Sequence, residues 1–319
     1  MSSFCSQIIS ISLFLKLVSI VFVKGYGACV YVTSPDYLGR MADIAGLAEL
    51  CHRYHAKLLV DNAHGAHLAF LPWRCHPIPT LGADYCCDSA HKMLSGLTGT
   101  AYLHVRSDID VEPERVRDAM AMFGSTSPSY LMLASLDWCN RELASPLFRK
   151  QLEEVLDRIQ QLKCRFSPRY CFVDGDPMHL TIDAAAGGFH GLELAAYLEQ
   201  HEVFVEYADA FHVVLLCSAA NTDRDFDILE QLLERFSLHR RNPEKSTLCP
   251  DRKRSAGFGE AALAPQEIVP IGESSGRICA AVKVPCPPAV PIVLSGERID
   301  ARCIAVCEAY GITEISVVQ

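Results

Sequence analysis

Two stretches decide the fold, namely residues 57–64, which read KLLVDNAH, and residues 83–92, which read ADYCCDSAHK. In each stretch a short apolar run predicts a buried strand, and polar side chains follow where the strand ends. Asp61 ends the first predicted strand, while Ser89 and Lys92 follow the second. Because ligands bind beyond the carboxyl ends of parallel strands, these side chains are candidate site residues.

The order of elements around these stretches predicts an α/β fold. A helix is predicted at residues 41–55, and strands are predicted at residues 29–33, 57–60, 83–87 and 100–105. Strands and helices that alternate with short connections are typical of a parallel sheet. We therefore predict a large α/β domain with a mostly parallel sheet over residues 29–145, which ends with helical segments broken at residues 124–128.

The rest of the chain divides by pattern and composition. Residues 146–238 predict a smaller α+β domain, with helices at 146–163, 191–201 and 223–236 and strands at 169–174, 179–182, 203–205 and 213–217. Residues 239–276 are rich in Arg, Lys, Pro and Gly, which favours a solvated linker, with a binding patch for an acidic partner as the alternative. Residues 277–319 predict a last segment with a helix at 301–310 and a strand at 314–318.

The amino-terminal residues 1–28 are left unassigned. Residues 8–23 read IISISLFLKLVSIVFV, which is short for a membrane span of roughly twenty apolar residues. The segment also lacks the basic start and the cleavage site of a secretory signal peptide. We favour a buried strand or an artefactual start, with membrane targeting as the alternative.

The composition bounds the class of protein. Of 319 residues, 50% are hydrophobic and 21% are charged, which excludes disorder as the main state. The net charge of −9 argues against a nucleic-acid partner. Fifteen cysteines, an odd number without any C-x-x-C pair, predict free and mostly buried thiols in the cytoplasm and do not support a zinc module.

The residues around Lys92 predict a site for pyridoxal phosphate (PLP). A lysine beside an apolar strand end has its charged form disfavoured, which suits Schiff-base formation. Ser89 and His91 can present hydrogen-bond donors to a phosphate, and the Asp61 carboxylate can pair with a protonated pyridine nitrogen. Each residue alone is more often a cap, a turn or a solvated residue, but the ordered set is specific.

Four segments of the chain resemble the Orn/Lys/Arg decarboxylase family of fold type I (aspartate-aminotransferase-like) PLP enzymes. They span residues 30–70 (VYVTSPDY to HLAF), 82–105 (GADYCCDSAHK to YLHV), 125–137 (STSPSYLMLASLD) and 285–299 (PCPPAVPIVLSGERI). The resemblance implies a partial PLP-transferase large domain followed by smaller α+β domains. It also implies decarboxylation of lysine, arginine or ornithine to the amine and CO₂, which feeds polyamine metabolism.

The resemblance assigns roles to residues at matching positions. Lys92 would form the Schiff base, Asp61 would pair with the pyridine nitrogen, and His64 would support Asp61 or the cofactor ring. The other implied cofactor contacts are Thr33, Ser34, Ala63, Ser89, His91, Ser125 and Thr126. The serine-rich segment at residues 125–127 resembles a loop that reaches a neighbouring subunit's cofactor, which implies a dimer or a larger homo-oligomer.

The chain departs from the family at its amino terminus. Family members carry a Gly-Ser/Thr loop that cradles the cofactor phosphate and an aromatic or His residue that stacks on the ring. Residues 1–28 contain only Gly25 and Gly27, which precede a strand, whereas a phosphate loop links a strand to a helix. We therefore expect this chain to lack the amino-terminal part of the PLP domain and to expose apolar faces and sheet edges.

Two alternatives to a decarboxylase remain open. The first is another fold type I enzyme, an aminotransferase or a carbon–carbon lyase, for which Arg169 is the one candidate for a carboxylate clamp. The segment at residues 285–299 favours the decarboxylase. The second is a non-catalytic fragment, which the missing phosphate loop favours and the intact segments at residues 61–64 and 89–92 oppose.

Overall fold

The computed structural model describes residues 18–23, 27–125, 127, 129–237, 254–283 and 291–319. The chain forms two compact units. The first comprises residues 1–181 and 214–235, and the second comprises residues 182–213 and 236–319. The domain boundaries placed after residues 145 and 238 remain predictions from the sequence.

The first unit is built on a five-stranded sheet with the order β1-β2-β3-β4-β5. Its strands are β1 (Val18–Val23), β2 (Gly27–Thr33), β3 (Lys57–Asp61), β4 (Tyr85–Ser89) and β5 (Ala101–Val105). The pairs β2–β3 and β3–β4 are parallel, whereas β1 and β5 pair antiparallel with their neighbours. The predicted α/β class is confirmed, with three parallel strands at the centre of the sheet.

Alternation along the strands explains which face of the sheet is buried. Val30, Leu58 and Cys86 point to one face and join a core cluster with residues of the helix α1 (Ile44–Arg53). Asp43 begins this helix, because its side chain accepts the backbone N–H of Gly46. Side chains on the opposite face are less buried, so this face leaves room for a ligand.

The helices that follow β5 remain close to the surface. Helix α2 (Ala90–Met93) directly follows β4, and helices α3 (Pro113–Ala121) and α4 (Tyr130–Leu143) follow β5. Helix α3 buries no side chain, and α4 buries only Cys139. The large apolar side chains exposed in this region include Met122, Phe123, Tyr130, Leu131 and Trp138. These side chains form an exposed apolar surface on α4 and beside it.

A second sheet has the order β6-β7-β9-β8. The elements of the middle of the chain are α5 (Pro146–Phe166), β6 (Cys171–Phe172), β7 (His179–Asp183), α6 (Ala184–Gly187), α7 (Gly191–Glu199), β8 (Tyr207–Ala208), β9 (His212–Leu216) and α8 (Asp223–Arg235). Helices α5 and α8 contact each other, and Arg158 of α5 forms ion pairs with Asp223 and Asp227 of α8.

The carboxy-terminal part of the second unit has its own core. It contains α9 (Phe258–Leu263), β10 (Gln266–Pro270), α10 (Ala301–Ala309) and β11 (Glu314–Val318), and β10 pairs antiparallel with β11. Apolar residues of these elements, including Cys303, Val306 and Val317, form one buried cluster.

Two predictions about secondary structure require correction. Residues 254–276, part of the predicted linker, contain α9 and β10, because β10 has a partner in the distant strand β11, which sequence pattern alone does not reveal. The strand predicted at residues 203–205 is wrong, since these residues form no strand and the short β8 begins at Tyr207. Residues 238–253 lie outside the described residues.

The amino-terminal and cysteine predictions are partly tested. Val18–Val23 form the strand β1, and residues 8–17 lie outside the described residues. Across the described ranges, none of the helices combines the length and the apolar character that a membrane crossing requires. Most of the 12 described cysteines are buried, as predicted, and no disulfide joins two of them.

Candidate active site

The Asp61 carboxylate lies at the carboxyl end of β3, half-buried on the open face of the sheet. Its Oδ2 accepts a hydrogen bond from the Tyr31 hydroxyl at 2.8 Å, and its Oδ1 accepts the backbone N–H of Ala63 at 3.1 Å. Burial and the hydrogen bond to Asp61 raise the pKa of Tyr31 to about 12, so the phenol keeps its proton. The carboxylate is therefore oriented and remains an acceptor.

The Lys92 amine lies beside the turn that follows Asp61. Lys92 belongs to α2, and its Nζ is 2.9 Å from Nε2 of His64. The Tyr37 ring lies near both groups. Its centroid is 6.0 Å from the Lys92 Nζ and 5.0 Å from the centroid of the His64 ring. The Asp61 carboxylate and the Lys92 amine thus lie at the same end of the sheet, although thirty residues separate them in the sequence.

One predicted role of His64 was to support Asp61, but the His64 side chain forms no hydrogen bond with Asp61 and contacts other residues instead. Its Nδ1 lies 3.1 Å from Nε2 of His179, and Nδ1 of His179 lies 2.6 Å from Oδ2 of Asp176. The other oxygen of Asp176 lies 2.8 Å from Nε2 of His67. The side chains of Lys92, His64, His179 and Asp176 thus form a continuous hydrogen-bonded row, which we call the lysine–histidine row.

The protonation of the lysine–histidine row follows from burial and charge. Burial, then the charge of Lys92, then that of His179 lower the pKa of His64 to about 3, so this imidazole is neutral. Burial acts to raise the pKa of Asp176, but His67 and His179 outweigh it through charge and hydrogen bonds and lower that pKa. The row therefore joins an amine to a buried carboxylate through a neutral ring.

The depressed pKa of His64 makes the stability of the chain depend on pH. Between about pH 6.5 and 3 the unfolded chain binds a proton at His64 that the folded chain does not, so acid favours unfolding. We expect His64→Gln to reduce the pH dependence of the unfolding free energy by up to about 1.4 kcal/mol per pH unit in this window. Urea titrations of both proteins from pH 7 to 4 measure it, and equal slopes would contradict the assignment.

Two glycines hold the loop of Asp176 against the loop that follows β2. A Cβ atom on Gly175 would lie 2.1 Å from the carbonyl oxygen of Gly39, and one on Gly39 would lie 2.5 Å from Cβ of His179. The backbone N–H of Asp176 also donates to the Gly39 oxygen at 2.7 Å. Both glycines have positive φ angles, 153° and 82°, which side chains disfavour. This close approach positions His179 beside His64.

A second buried network lies under the site. The Asp88 carboxylate accepts hydrogen bonds from Asn62, His76 and His104 at 2.8–3.0 Å, and these bonds outweigh burial and lower its pKa. The backbone N–H of Ile78 donates to Nδ1 of His76, which places the ring proton on Nε2, toward Asp88. Since the carboxylate is satisfied by these donors, the network anchors Asn62 and with it the turn between Asp61 and His64.

The residues predicted to bind the phosphate or to line the pocket differ from one another in burial and in hydrogen-bond partners. Ser89 is half-buried at the end of β4, and His91 is half-buried with Nδ1 3.0 Å from the carbonyl oxygen of Thr100. Thr33 pairs with Asp61 in the sheet and is half-buried on the open face. Ser34 is buried, and its hydroxyl accepts the backbone N–H of Ala42, so it ties the loop to the start of α1.

The serine-rich loop stands apart from these residues. Ser125 is exposed, and its hydroxyl accepts the backbone N–H of Ser127. Thr126 lies outside the described residues, so its predicted cofactor contact remains a prediction. Sequence reasoning missed His179, Asp176 and His67, although the pattern D-x-x-H at residues 176–179, just before a predicted strand, was a weak signal for a polar loop at a strand edge.

The fold and the placement of Asp61 and Lys92 define an α/β protein of the PLP-transferase type that the sequence resembles. The family model described as "Orn/Lys/Arg decarboxylase, major domain" matches residues 16–182, and "Orn/Lys/Arg decarboxylase, C-terminal domain" matches residues 249–309. Since the first match alone spans more than half of the chain, the chain belongs to the Orn/Lys/Arg decarboxylase family. The predicted family is thereby confirmed.

Curated relatives and solved structures agree with this family. Two proteins named arginine decarboxylase, from Halalkalibacterium halodurans and Bacillus subtilis, are each 30% identical, over 295 and 297 residues. Each match covers 86% of this chain and 60% of the relative, so the chain spans about 60% of their length.

Solved structures support the fold at lower identity. The constitutive lysine decarboxylase of E. coli has a TM-score of 0.70 at 15% identity, covering 91% of this chain and 58% of that one. The Francisella novicida lysine decarboxylase LdcF has a TM-score of 0.70 at 17% identity, covering 91% and 57%. At these identities the similarity concerns the fold alone.

Proposed function

We propose that this chain serves in the PLP-dependent decarboxylation of a basic amino acid, namely arginine, lysine or ornithine, to the amine and CO₂. The observation that carries the proposal is the pairing of an oriented carboxylate, Asp61, with an amine, Lys92, through one turn at the end of the central strands. Membership of the Orn/Lys/Arg decarboxylase family supports the same reaction class.

The residues at this edge of the sheet fit the chemistry of PLP. Asp61 offers a half-buried acceptor for a ring N–H, and Lys92 offers a primary amine for the aldehyde. Ser89 and His91 provide a hydroxyl and an imidazole for a phosphate, and Ala63 provides a small apolar surface for the ring face. These groups fit the ring nitrogen, the aldehyde and the phosphate of the cofactor.

The mechanism assigns each chain residue a separate task. When bound, PLP supplies an electron sink for the bond between the α-carbon and the carboxylate of the substrate. Asp61 keeps a proton at the ring nitrogen, because its charge favours the protonated form. Tyr31 and the Ala63 amide hold that carboxylate in place. Lys92 would hold the cofactor aldehyde through its amine, and in the chain without cofactor His64 accepts a hydrogen bond from that amine.

A decarboxylation assay with the full chain tests the proposal. We expect the purified chain with added PLP to release ¹⁴CO₂ from carboxyl-labelled arginine, lysine or ornithine and not from glutamate, since the family acts on basic side chains. The comparison of the three substrates also identifies the preferred one. No release from any of them, by a chain that circular dichroism shows to be folded, would contradict catalysis by this chain alone.

We further propose a cytoplasmic homo-oligomer. The free thiols of the described cysteines suit a reducing compartment. The exposed apolar side chains around α4, among them Phe123, Tyr130 and Trp138, form a surface that monomeric proteins rarely leave uncovered. A second copy would bring Ser125 and its neighbours toward another subunit, as the family resemblance implies.

A second candidate function is that of a non-catalytic member of the family. The observation that favours it is the exposed apolar surface on α4 and the residues before it, which includes Phe123, Tyr130 and Trp138. Such a chain would associate with a homologue and would not turn over substrate alone. If the chain alone shows no decarboxylation and a co-purified homologue restores it, this candidate is favoured over the first.

A further inference from the structure

With Lys92 charged and both histidines neutral, the lysine–histidine row has only one consistent arrangement of protons. The Asp176 carboxylate is an acceptor, so the neighbouring Nδ1 of His179 carries a proton and its Nε2 holds a lone pair. His64 must then donate its Nδ1–H to His179, which leaves the lone pair of its Nε2 facing Lys92. Each group thus donates to the next, from the Lys92 amine to the Asp176 carboxylate.

We propose that His64, His179 and Asp176 form a proton relay that withdraws a proton from the Lys92 amine, with His179 and Asp176 as positioning residues. This inference rests on the proposed function, because it assigns the relay the task of preparing Lys92 for reaction with a carbonyl group. An ammonium group cannot attack a carbonyl carbon, since its nitrogen has no free electron pair.

The transfer balances within the row itself. A Lys92 N–H bond breaks as a bond between the proton and Nε2 of His64 forms, and the His64 Nδ1–H bond breaks as a proton binds Nε2 of His179. Lys92 becomes a neutral amine and His64 is again neutral, in its other tautomer. The positive charge resides on His179, whose Nδ1–H remains bonded to the Asp176 carboxylate. No oxidant or other reactant is required.

Burial explains why the proton would not stay on the first histidine. The low pKa of His64 shows that its environment disfavours a cation there, between Lys92 and His179. His179 lies 2.6 Å from an anionic carboxylate, which stabilises an imidazolium as the aspartate of a catalytic triad does. The row therefore moves charge away from the amine and toward Asp176.

The charged groups around the relay come from several elements. Lys92 faces His64 from α2, while His67 faces Asp176 from the turn that follows β3. Lys163 of α5 reaches the backbone oxygen of His179 at 3.4 Å, and Asp174 lies near Lys163. His67 provides a matched control, because it is equally buried and bonds the same carboxylate but lies outside the path to Lys92.

Nitrogen NMR of the chain without cofactor is the first test. Long-range ¹⁵N–¹H spectra of ¹⁵N-histidine-labelled protein at pH 7 distinguish the two tautomers of each ring. We expect a proton on Nδ1 and a lone pair on Nε2 for both His64 and His179. A neutral His179 with its proton on Nε2, or an Nε2–H tautomer of His64 beside a neutral His179, fits neither state of the row and would overturn the relay without the need for any variant. This readout does not depend on PLP or on decarboxylation.

The reactivity of Lys92 is the second test. We expect His179→Gln and Asp176→Asn each to slow trinitrophenylation of Lys92 at pH 7 by about tenfold or more, and His67→Gln to change it less than twofold. Peptide mass spectrometry identifies the modified lysine. The difference should vanish in strongly alkaline solution, where the amine loses its proton directly to solvent, whereas a merely structural defect would persist at every pH.

The outcomes separate this inference from the proposed function. Equal rates at pH 7 for the wild-type chain and His179→Gln, or a defect in His67→Gln as large as that in His179→Gln, would overturn the relay. A chain with the expected tautomers and rates that nevertheless releases no CO₂ would retain the relay and refute the proposed activity. If His179→Gln fails to fold, Asp176→Asn and the tautomers of the unsubstituted chain still decide the matter.

Discussion

Lys92→Ala is expected to abolish the visible absorption that PLP gives on binding to the chain and to lower decarboxylation by about a thousandfold or more. The reason is that the Lys92 amine lies at the end of the central strands beside the turn at residues 61–64, with its Nζ 2.9 Å from Nε2 of His64. Spectra of the chain titrated with PLP, followed by the assay with arginine, lysine and ornithine, measure both effects.

A lysine on the surface supplies the control for Lys92→Ala. Lys150 lies on α5, and its exposed amine pairs with Glu154. Lys150→Ala should keep the wild-type spectrum and activity, because an exposed ion pair of this kind contributes little. A Lys92→Ala chain that retains the absorption band would refute the assignment of the amine, whereas a wild-type chain without a band would refute the cofactor site as a whole.

The positions of Asp61 and Lys92 at the ends of the central strands could be predicted from the sequence, because both depend on local pattern, while their roles stay predictions. Asp61 and Lys92 each follow a short apolar strand, and parallel strands bring such positions to one edge. The antiparallel direction of β5 was also accessible but was not predicted. Residues 90–100 form a connection too short for a parallel crossover, which takes a dozen residues or more.

The remainder of the site could not be predicted, because it depends on contacts between distant segments. His179 and Asp176 lie more than a hundred residues after His64, and their approach requires the close packing of Gly39 against Gly175. Nothing in the local pattern of residues 174–180 indicates that contact. The same reason explains why β10 was interpreted as part of a linker, since it pairs with β11, the last strand in the sequence.

Asp61→Asn is expected to reduce decarboxylation by about 10- to 1000-fold while the chain stays folded. Asparagine has almost the same shape and can still accept the Tyr31 hydroxyl and the Ala63 amide, but it carries no charge. An opposite charge within hydrogen-bond distance shifts a pKa by about 1–3 units, so its loss lowers the fraction of PLP with a protonated ring nitrogen by a corresponding factor. Steady-state rates at saturating PLP measure the loss.

Tyr31 reports the same substitution without any cofactor. Burial is the largest cause of its raised pKa, about 12, and the hydrogen bond and charge of Asp61 add to it. Asp61→Asn should therefore move the pKa of Tyr31 partway toward 10, which difference absorbance near 295 nm detects as the pH is raised. Asp43→Asn is the matched control, because asparagine caps the start of α1 as well as aspartate does. A lowered Tyr31 pKa with full activity in Asp61→Asn would show that the charge is present but does not serve the reaction.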